Sequence, residues 1–146
     1  VIDRGMEDQE MKIIVIDGQG GGIGRQIVQA VRANFPNAEL IAVGTNSTAA
    51  AAMLKAGAEK AATGENSVVV CRRDADIIIG PVAIVVADAL IGEITPKMAA
   101  AVSQSRAKRL LVPVNCCSNI IVGVPDLSVG RLVECVVSEV KKIYEA

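Results

Sequence analysis

Histidine is absent from this 146-residue chain, and the aromatic residues are limited to Phe35 and Tyr144. Without histidine the chain lacks the usual general base, the commonest metal ligand and any Ser–His or Cys–His pair. The shortage of aromatic residues argues against a protein that stacks on the bases of single-stranded nucleic acid. We therefore expect no metal site and a core built from Val, Ile, Leu and Ala.

The chain also lacks a charge surplus and a long hydrophobic run. Its 15 basic and 16 acidic residues leave a net charge of −1, whereas a protein that binds a phosphate backbone needs clustered basic residues. The longest apolar run, Ile77–Ala87, is interrupted by Gly80 and Pro81 and is shorter than the ~20 residues that span a bilayer. We expect a cytoplasmic protein with no nucleic-acid or membrane partner.

The four cysteines show no C-x-x-C spacing and are expected to be reduced. Cys135 lies on the apolar stripe of the last predicted helix, which indicates a small core residue. Cys116 and Cys117 follow a predicted strand, so a loop thiol pair remains open beside a purely structural role, although no histidine is present to activate a thiolate.

The most informative stretch is Lys12–Val31, KIIVIDGQGGGIGRQIVQAV. A continuous β-branched run is typical of a parallel strand buried on both faces. Five glycines follow within seven residues, and then Ile23, Ile27 and Val31 recur every four residues, as on one face of a helix. A glycine-rich junction before a helix N-terminus presents free N–H groups and a positive dipole, which favours a phosphate.

The glycine spacing does not fit the dinucleotide pattern G-x-G-x-x-G, because Ile23 and Arg25 occupy the required third positions. The loop is similar to the T-G-x-x-x-G-x-G loop of short-chain dehydrogenases/reductases, with Asp17 in place of the threonine. Those enzymes use a Tyr-x-x-x-Lys pair, whereas Tyr144 is the single tyrosine here and no lysine follows it. Phosphate binding and a glycine turn used only for packing both remain open.

Strand and helix patterns alternate along the rest of the chain, which predicts a doubly wound, mostly parallel sheet in a three-layer α/β/α domain over residues 11–146. Residues 1–10 are expected to form a flexible leader. The first predicted strand begins at Lys12. The other predicted strands cover Glu39–Val43, Glu59–Ala62, Asp76–Ile79, Arg109–Val114 and Ile120–Val124. Predicted helices cover Thr48–Ala56, Val68–Arg73, Thr95–Ala107 and the residues after Asp126, while Val82–Ile94 is either a helix or an extended lid.

The predicted loops differ between the two edges of the sheet. Those after the first five strands read GQGGGIG, GTNS, TGENS, GP and NCCSN, whereas those at the opposite edge read FPNA, KAGA and QSRAKR. Ligands of open α/β sheets bind beyond the carboxyl ends of the strands, although helix capping also favours Ser, Thr, Asn and Gly. The acidic residue that commonly holds the ribose of NAD is replaced by Gly44 or Thr45.

The segments IVIDGQGGGIGRQ, AVGTNSTA, ATGEN, ADIIIGP and GEITPKMA resemble a family of small bacterial proteins labelled as a domain of unknown function. The resemblance covers Met11 to about Val124 and implies a stand-alone Rossmann-like domain. It names no reaction, so a functional hypothesis has to come from the residues themselves.

Our leading hypothesis is a domain that binds a nucleotide, a dinucleotide or another phosphorylated small molecule and acts as a sensor or subunit in a homodimer. NAD and NADP are the candidate cofactors. One alternative is a small enzyme that acts on a phosphorylated or nucleotide substrate, with Asp17, Glu65 or Asp88 as acid or base; Glu93 is a further carboxylate candidate. Another is a structural self-association module without ligand. The predicted cofactor contacts are Gly18, Gln19, Gly20, Gly21, Gly22, Ile23, Gly24, Gly44, Thr45, Asn46, Ser47, Gly80, Pro81 and Asn115, and Asn66 is a further polar candidate.

Overall fold

Strands and helices alternate in the computed structural model, which describes residues 11–114 and 118–146. The strands are β1 (Lys12–Asp17), β2 (Glu39–Gly44), β3 (Lys60–Thr63), β4 (Ile77–Pro81) and β5 (Lys108–Val112). The helices are α1 (Gly22–Asn34), α2 (Ser47–Ala56), α3 (Glu65–Cys71), α4 (Pro96–Ser103) and α5 (Val129–Glu145), with short 3-10 turns at Arg72–Asp74 and Val82–Val85. The predicted leader at residues 1–10, the predicted contact Asn115, and Cys116 and Cys117 lie outside the described residues.

The five strands form one parallel sheet in the order β3-β2-β1-β4-β5. The chain moves outward from β1 to β3 and then returns to the other side of β1 at β4. The strand order therefore reverses between β1 and β4, which is where open α/β sheets form their ligand crevice. The predicted doubly wound α/β fold is confirmed.

Both faces of the sheet are covered, which explains why β1 is apolar throughout. Successive side chains of a strand point to opposite faces, so Ile13 and Val15 join the core beneath α1, α2 and α5. Ile14 and Ile16 join the second core beneath α3, α4 and the segment after β4. The result is the predicted three-layer α/β/α arrangement.

The two aromatic residues of the chain meet at the end of the molecule opposite the glycine loop. Phe35 follows α1 and Tyr144 lies in the last turn of α5, and their rings stack with centroids 5.1 Å apart. This contact fixes the C-terminal ends of the two helices against each other.

Strand β4 is longer than predicted, because Gly80 and Pro81 continue it. Gly80 pairs with Leu111 and Pro81 with Val112 in the register with β5, and both residues are buried. Proline is compatible with the last position of a strand because its fixed φ is close to extended values. Residues 82–94 form a 3-10 turn and an irregular loop rather than a helix.

The predicted sixth strand at Ile120–Val124 is wrong, since these residues are irregular and exposed. The final helix begins at Val129, where the Ser128 side chain accepts a hydrogen bond from the Arg131 N–H at 3.2 Å. Helix α4 ends at Ser103, short of the predicted Ala107. The predicted core residue Cys135 is exposed, because β5 is an edge strand and no strand lies beyond it under α5 in the described part of the chain.

Candidate functional site

The carboxyl ends of β1, β2 and β3 bring the predicted loops side by side. The Thr45 N–H donates to the Asp17 carbonyl oxygen at 3.0 Å, and the Gly64 N–H donates to the Gly44 carbonyl oxygen at 2.9 Å. Backbone hydrogen bonds therefore join the end of β1 to the loop after β2, and the end of β2 to the loop after β3. The edge of the sheet is a continuous backbone surface at this point.

Asp17, the last residue of β1, is a buried carboxylate that closes the glycine loop. Its Oδ1 accepts from the Gly18 N–H at 2.8 Å, and its Oδ2 accepts from the Gly24 N–H in the first turn of α1 at 2.7 Å. Burial raises the pKa of Asp17, and the nearby Glu93 adds to this, while the two N–H donors oppose it. Asp17 therefore acts as the side-chain cap of α1.

Glu93 is a second carboxylate at this edge, and it arrives from the loop between β4 and α4. Its Oε1 accepts from the Gln19 N–H at 2.8 Å, the Thr45 hydroxyl at 2.5 Å and the Asn46 amide at 3.1 Å. The Thr45 hydroxyl, followed by the Gln19 N–H, lowers the pKa of Glu93. Oε2 has no hydrogen-bond partner among the described residues.

The loop that carries Glu93, Asp88–Ile94, is a compact unit held in an unusual backbone conformation. The Asp88 N–H donates to the Ile94 carbonyl oxygen at 2.7 Å, and Leu90 and Ile94 are buried in the second core. The φ values of Asp88, Leu90 and Ile91 are 65°, 56° and 55°, and this region is costly for a β-branched residue such as Ile91. The surrounding contacts offset this strain and hold Glu93 at the glycine loop.

The glycines at this edge divide into two groups according to what surrounds them. A Cβ at Gly18 would lie 2.9 Å from Glu93 Oε1, one at Gly21 2.9 Å from the Ala49 Cα, and one at Gly24 2.6 Å from the Met53 sulfur. A Cβ at Gly44 would lie 2.5 Å from the Ala50 nitrogen. Backbone contacts therefore require glycine at positions 21 and 44, whereas at Gly18 and Gly24 neighbouring side chains would have to move.

Gly20 and Gly22, by contrast, have no atom within 4 Å of the Cβ position. Gly22 and Ile23 are the first two residues of α1, and their N–H groups have no hydrogen-bond partner in residues 11–114 and 118–146. Such N–H groups at a helix N-terminus bind anions. These two amides, together with that of Gly20, are the loop donors without a hydrogen-bond partner among the described residues.

A cleft of about 520 Å³ opens in front of these amides, within the ~300–1,000 Å³ range of small-molecule sites. One wall is the first two turns of α1, and the other is formed by the residues after β5 and the start of α5. The lining residues are Gly22, Ile23, Gln26, Pro113, Val114, Asp126, Leu127, Val129 and Leu132.

The remaining predicted residues have different surroundings. Asn46 is the N-cap of α2, with Oδ1 accepting from the Ala49 N–H at 2.8 Å and Nδ2 donating to the Gln19 carbonyl oxygen at 2.9 Å. Ser47 is exposed at the start of α2. The predicted loop residues Gly80 and Pro81 belong to β4 and are buried, which corrects their assignment to a loop.

The carboxylates proposed from the sequence as acids or bases do not meet in one place. Asp88 is exposed, and Glu65 is exposed with its Oε2 accepting from the Thr95 hydroxyl at 2.6 Å. Asn66 is also exposed. Glu93 was a candidate acid or base, but its contacts with Gln19 and Thr45 could not be inferred from the sequence, because 48 residues separate it from Thr45.

The contacts of Glu93 lead to a pH-dependent prediction. A carboxyl group whose pKa is lowered in the folded state stabilises the fold when the pH is above its ordinary pKa, which is 4.5 here. This contribution is lost as the pH falls through the folded-state pKa. We therefore expect Glu93→Gln to unfold at a lower temperature than the wild type at pH 7, with a difference that shrinks below pH 4.5. Thermal unfolding of both proteins between pH 7 and pH 3.5 measures this.

Glu145→Gln, an exposed change at the end of α5, is the matched control and should follow the wild-type curve. A difference between Glu93→Gln and the wild type that is constant with pH would show that the ionised carboxylate does not stabilise the loop.

In residues 11–114 and 118–146, no three His, Cys, Asp or Glu side chains gather in a group able to hold a metal ion. In the same part of the chain, no helix has the length and apolar character required to cross a membrane.

The fold defines a Rossmann-like α/β domain, and the comparisons with known proteins agree with this. The chain belongs to the family described as domain of unknown function DUF3842, which matches residues 12–145. The family resemblance read from the sequence is thereby confirmed. The search of curated proteins found no match.

A solved structure similar to this chain is that of a nucleoside-diphosphate-sugar epimerase from Pseudomonas aeruginosa, with a TM-score of 0.50 and 17% sequence identity. The similarity covers 93% of this chain and 48% of the epimerase, so this chain spans about half the length of that protein. At this identity the similarity supports the fold alone.

Proposed function

We propose that the protein is a nucleotide-binding domain, with a dinucleotide such as NAD as its ligand, and that it acts as a sensor or subunit. The observation that carries this proposal is the pair of free N–H groups at Gly22 and Ile23, beside the open Cβ positions of Gly20 and Gly22. A phosphate accepts hydrogen bonds from both amides and is favoured by the positive end of the α1 dipole.

Glu93 supplies a contact for the sugar in this proposal. In many NAD-binding domains an acidic residue after the second strand accepts hydrogen bonds from the ribose hydroxyls, and here β2 ends at Gly44. Glu93 reaches the loop after β2 from another element and is fixed there through Oε1 by Thr45 and Asn46. Its Oε2 then accepts from the ribose hydroxyls and repels the 2′-phosphate of NADP, because like charges disfavour each other at close range.

The shape of the cleft supports a ligand larger than a single phosphate. Its apolar wall, which includes Ile23, Leu127 and Leu132, can cover a base or sugar, and its volume of about 520 Å³ suits a nucleotide. The epimerase with a similar fold acts, by its name, on nucleoside diphosphate sugars. We therefore include a nucleoside diphosphate sugar among the ligands to be tested.

The direct test is isothermal titration calorimetry with NAD, NADP and a nucleoside diphosphate sugar on the wild type and on Gly22→Val. The valine side chain enters open space in the folded protein, so it blocks the anion site without disturbing the core. We expect NAD to bind more tightly than NADP, and Gly22→Val to weaken the binding of NAD by at least about tenfold, or ~1.4 kcal/mol.

Gly130→Val is the matched control. Gly130 is also a glycine in the first turn of a helix with no atom within 4 Å of its Cβ position, and it is not among the residues that line the cleft. The proposal fails if the wild type binds none of the three ligands, or if Gly22→Val and Gly130→Val bind NAD equally well.

A further inference from the structure

Strand β5 forms one edge of the sheet, and its outer side has no strand neighbour in the described part of the chain. A groove of about 220 Å³ runs between this edge and α5. It is lined mainly by apolar side chains, and Leu111 is 37% exposed there. An unpaired edge next to an apolar groove has the shape that accepts one more strand.

A segment with the composition of a strand lies outside the sheet in the same chain. Ile120–Val124, IIVGV, is rich in β-branched residues and uncharged, yet Ile120 is 87% exposed and Val122 is 91% exposed. Monomeric proteins rarely expose a contiguous run of this kind. The segment and the β5 edge therefore match each other in polarity, and neither has a strand neighbour among the described residues. The segment turns at Gly123, whose φ is 83°, and the Val124 N–H donates to the Ile121 carbonyl oxygen at 3.3 Å. This turn has to open when the segment adds as a strand.

The segment cannot pair with β5 of its own chain in a parallel direction. Only the seven residues of 113–119 separate the two, whereas a parallel connection needs roughly a dozen residues or more. A parallel sixth strand within the chain is thus excluded by the length of the connection.

An antiparallel hairpin within the chain is also disfavoured, because it would carry Val124 to the amino end of β5. Helix α5 starts at the carboxyl edge of the sheet, where Val129 lines the same cleft as Gly22. An extended chain from Val124 to Val129 spans at most about 18 Å, little more than the ~16 Å length of β5. No residue remains for the turn into α5.

We propose that Ile120–Val124 of one copy adds as a strand to the β5 edge of a second copy, and that the exchange is reciprocal in a two-fold dimer. Both contacts are then equivalent, as an isologous interface requires. The added strand covers Leu111 and fills the groove beside α5, where Cys135 and Val136 lie. In this dimer the segment predicted as a sixth strand completes the sheet of the neighbouring copy.

Sedimentation velocity on the full chain tests the proposal. We expect a dimer for the wild type at about 100 μM, a range in which interfaces of moderate affinity are populated. Val122→Lys puts a charge on the donor segment, and Leu111→Lys puts a charge on the acceptor edge. Each variant should sediment as a monomer, and circular dichroism should show that it is still folded. Ile91→Lys, at a residue that is 96% exposed elsewhere, should remain a dimer.

Mixing the two variants distinguishes strand exchange from a symmetric apolar patch. The Leu111→Lys chain retains a good donor segment and the Val122→Lys chain a good acceptor edge, so one of the two contacts re-forms and a heterodimer should appear. A monomeric wild type, a Val122→Lys variant that remains a dimer, or the absence of a heterodimer in the mixture would each overturn the proposal.

Discussion

Replacing Gly80 with alanine is expected to destabilise the protein by about 3 kcal/mol. The new Cβ would collide with the Ile16 carbonyl oxygen of β1 and lie 2.9 Å from the Ile84 Cδ1. A carbonyl oxygen in the centre of a sheet cannot move aside as a flexible side chain does. Relief of the collision requires β1 and β4 to separate, at the switch point of the sheet.

The measurement is urea unfolding of Gly80→Ala beside Gly22→Ala. Gly22 also lacks a Cβ but faces open space, so the alanine there should be neutral or stabilise the protein by up to about 1 kcal/mol through the unfolded state. If both variants unfold at the wild-type midpoint, β1 and β4 do not approach each other as closely as the structure indicates.

The second large effect is expected for Asp17→Asn, a loss of about 2–3 kcal/mol. Both carboxylate oxygens accept from buried N–H groups, of Gly18 and Gly24, whereas an asparagine can accept through one atom only. Its amide nitrogen then faces an N–H donor. The neutral asparagine avoids the desolvation cost of the buried charge and the repulsion from Glu93. The two N–H donors that face each other in a buried position cost more than this saves, so the variant is less stable.

The pH dependence of the Asp17→Asn effect has a definite sign. Because burial raises the folded-state pKa of Asp17 above its ordinary value of 3.8, the wild type gains stability from this group as the pH falls through the folded pKa towards 3.8. The variant has no such gain, so the difference between the two proteins should widen in acid. This is the opposite of the trend expected for Glu93→Gln.

Asp88→Asn provides the control, since it makes the same change of charge at an exposed residue. Asparagine also tolerates the positive φ of that position. The control should stay within about 0.5 kcal/mol of the wild type. An Asp17→Asn protein as stable as Asp88→Asn would mean that the carboxylate does not cap α1.

Much of the fold could be predicted from local patterns. The β-branched run of β1, the glycine-rich junction and the four-residue repeat of α1 are short-range signals, and all three elements occur where the sequence placed them. The alternation of strands and helices was sufficient to predict a parallel sheet with helices on both faces, because the lengths of the connections allow little else.

The roles of individual residues at the candidate site could not be predicted in the same way. Gly18 and Gly22 lie in the same glycine-rich loop and look alike in the sequence. In the structure Gly18 packs against Glu93 and Leu90, whereas Gly22 faces open space. The difference depends on the Asp88–Ile94 loop, which arrives from a distant part of the sequence. Similarly, Ile120–Val124 has a strand composition, but a strand also needs a neighbour. The connection to β5 is too short for a parallel pair, and the chain between Val124 and Val129 is too short for a hairpin.

The amino-acid sequence by itself determined the α/β architecture, the family, and the edge of the sheet at which polar and glycine residues gather. These depend on hydrophobic periodicity and turn chemistry, which act over a few residues. Only the tertiary structure decided which donors are free, that Glu93 lies beside Thr45, and that β5 has no further strand beside it in the described residues. Those features depend on contacts between residues far apart in the chain, whose distances are set by packing and not by any local pattern.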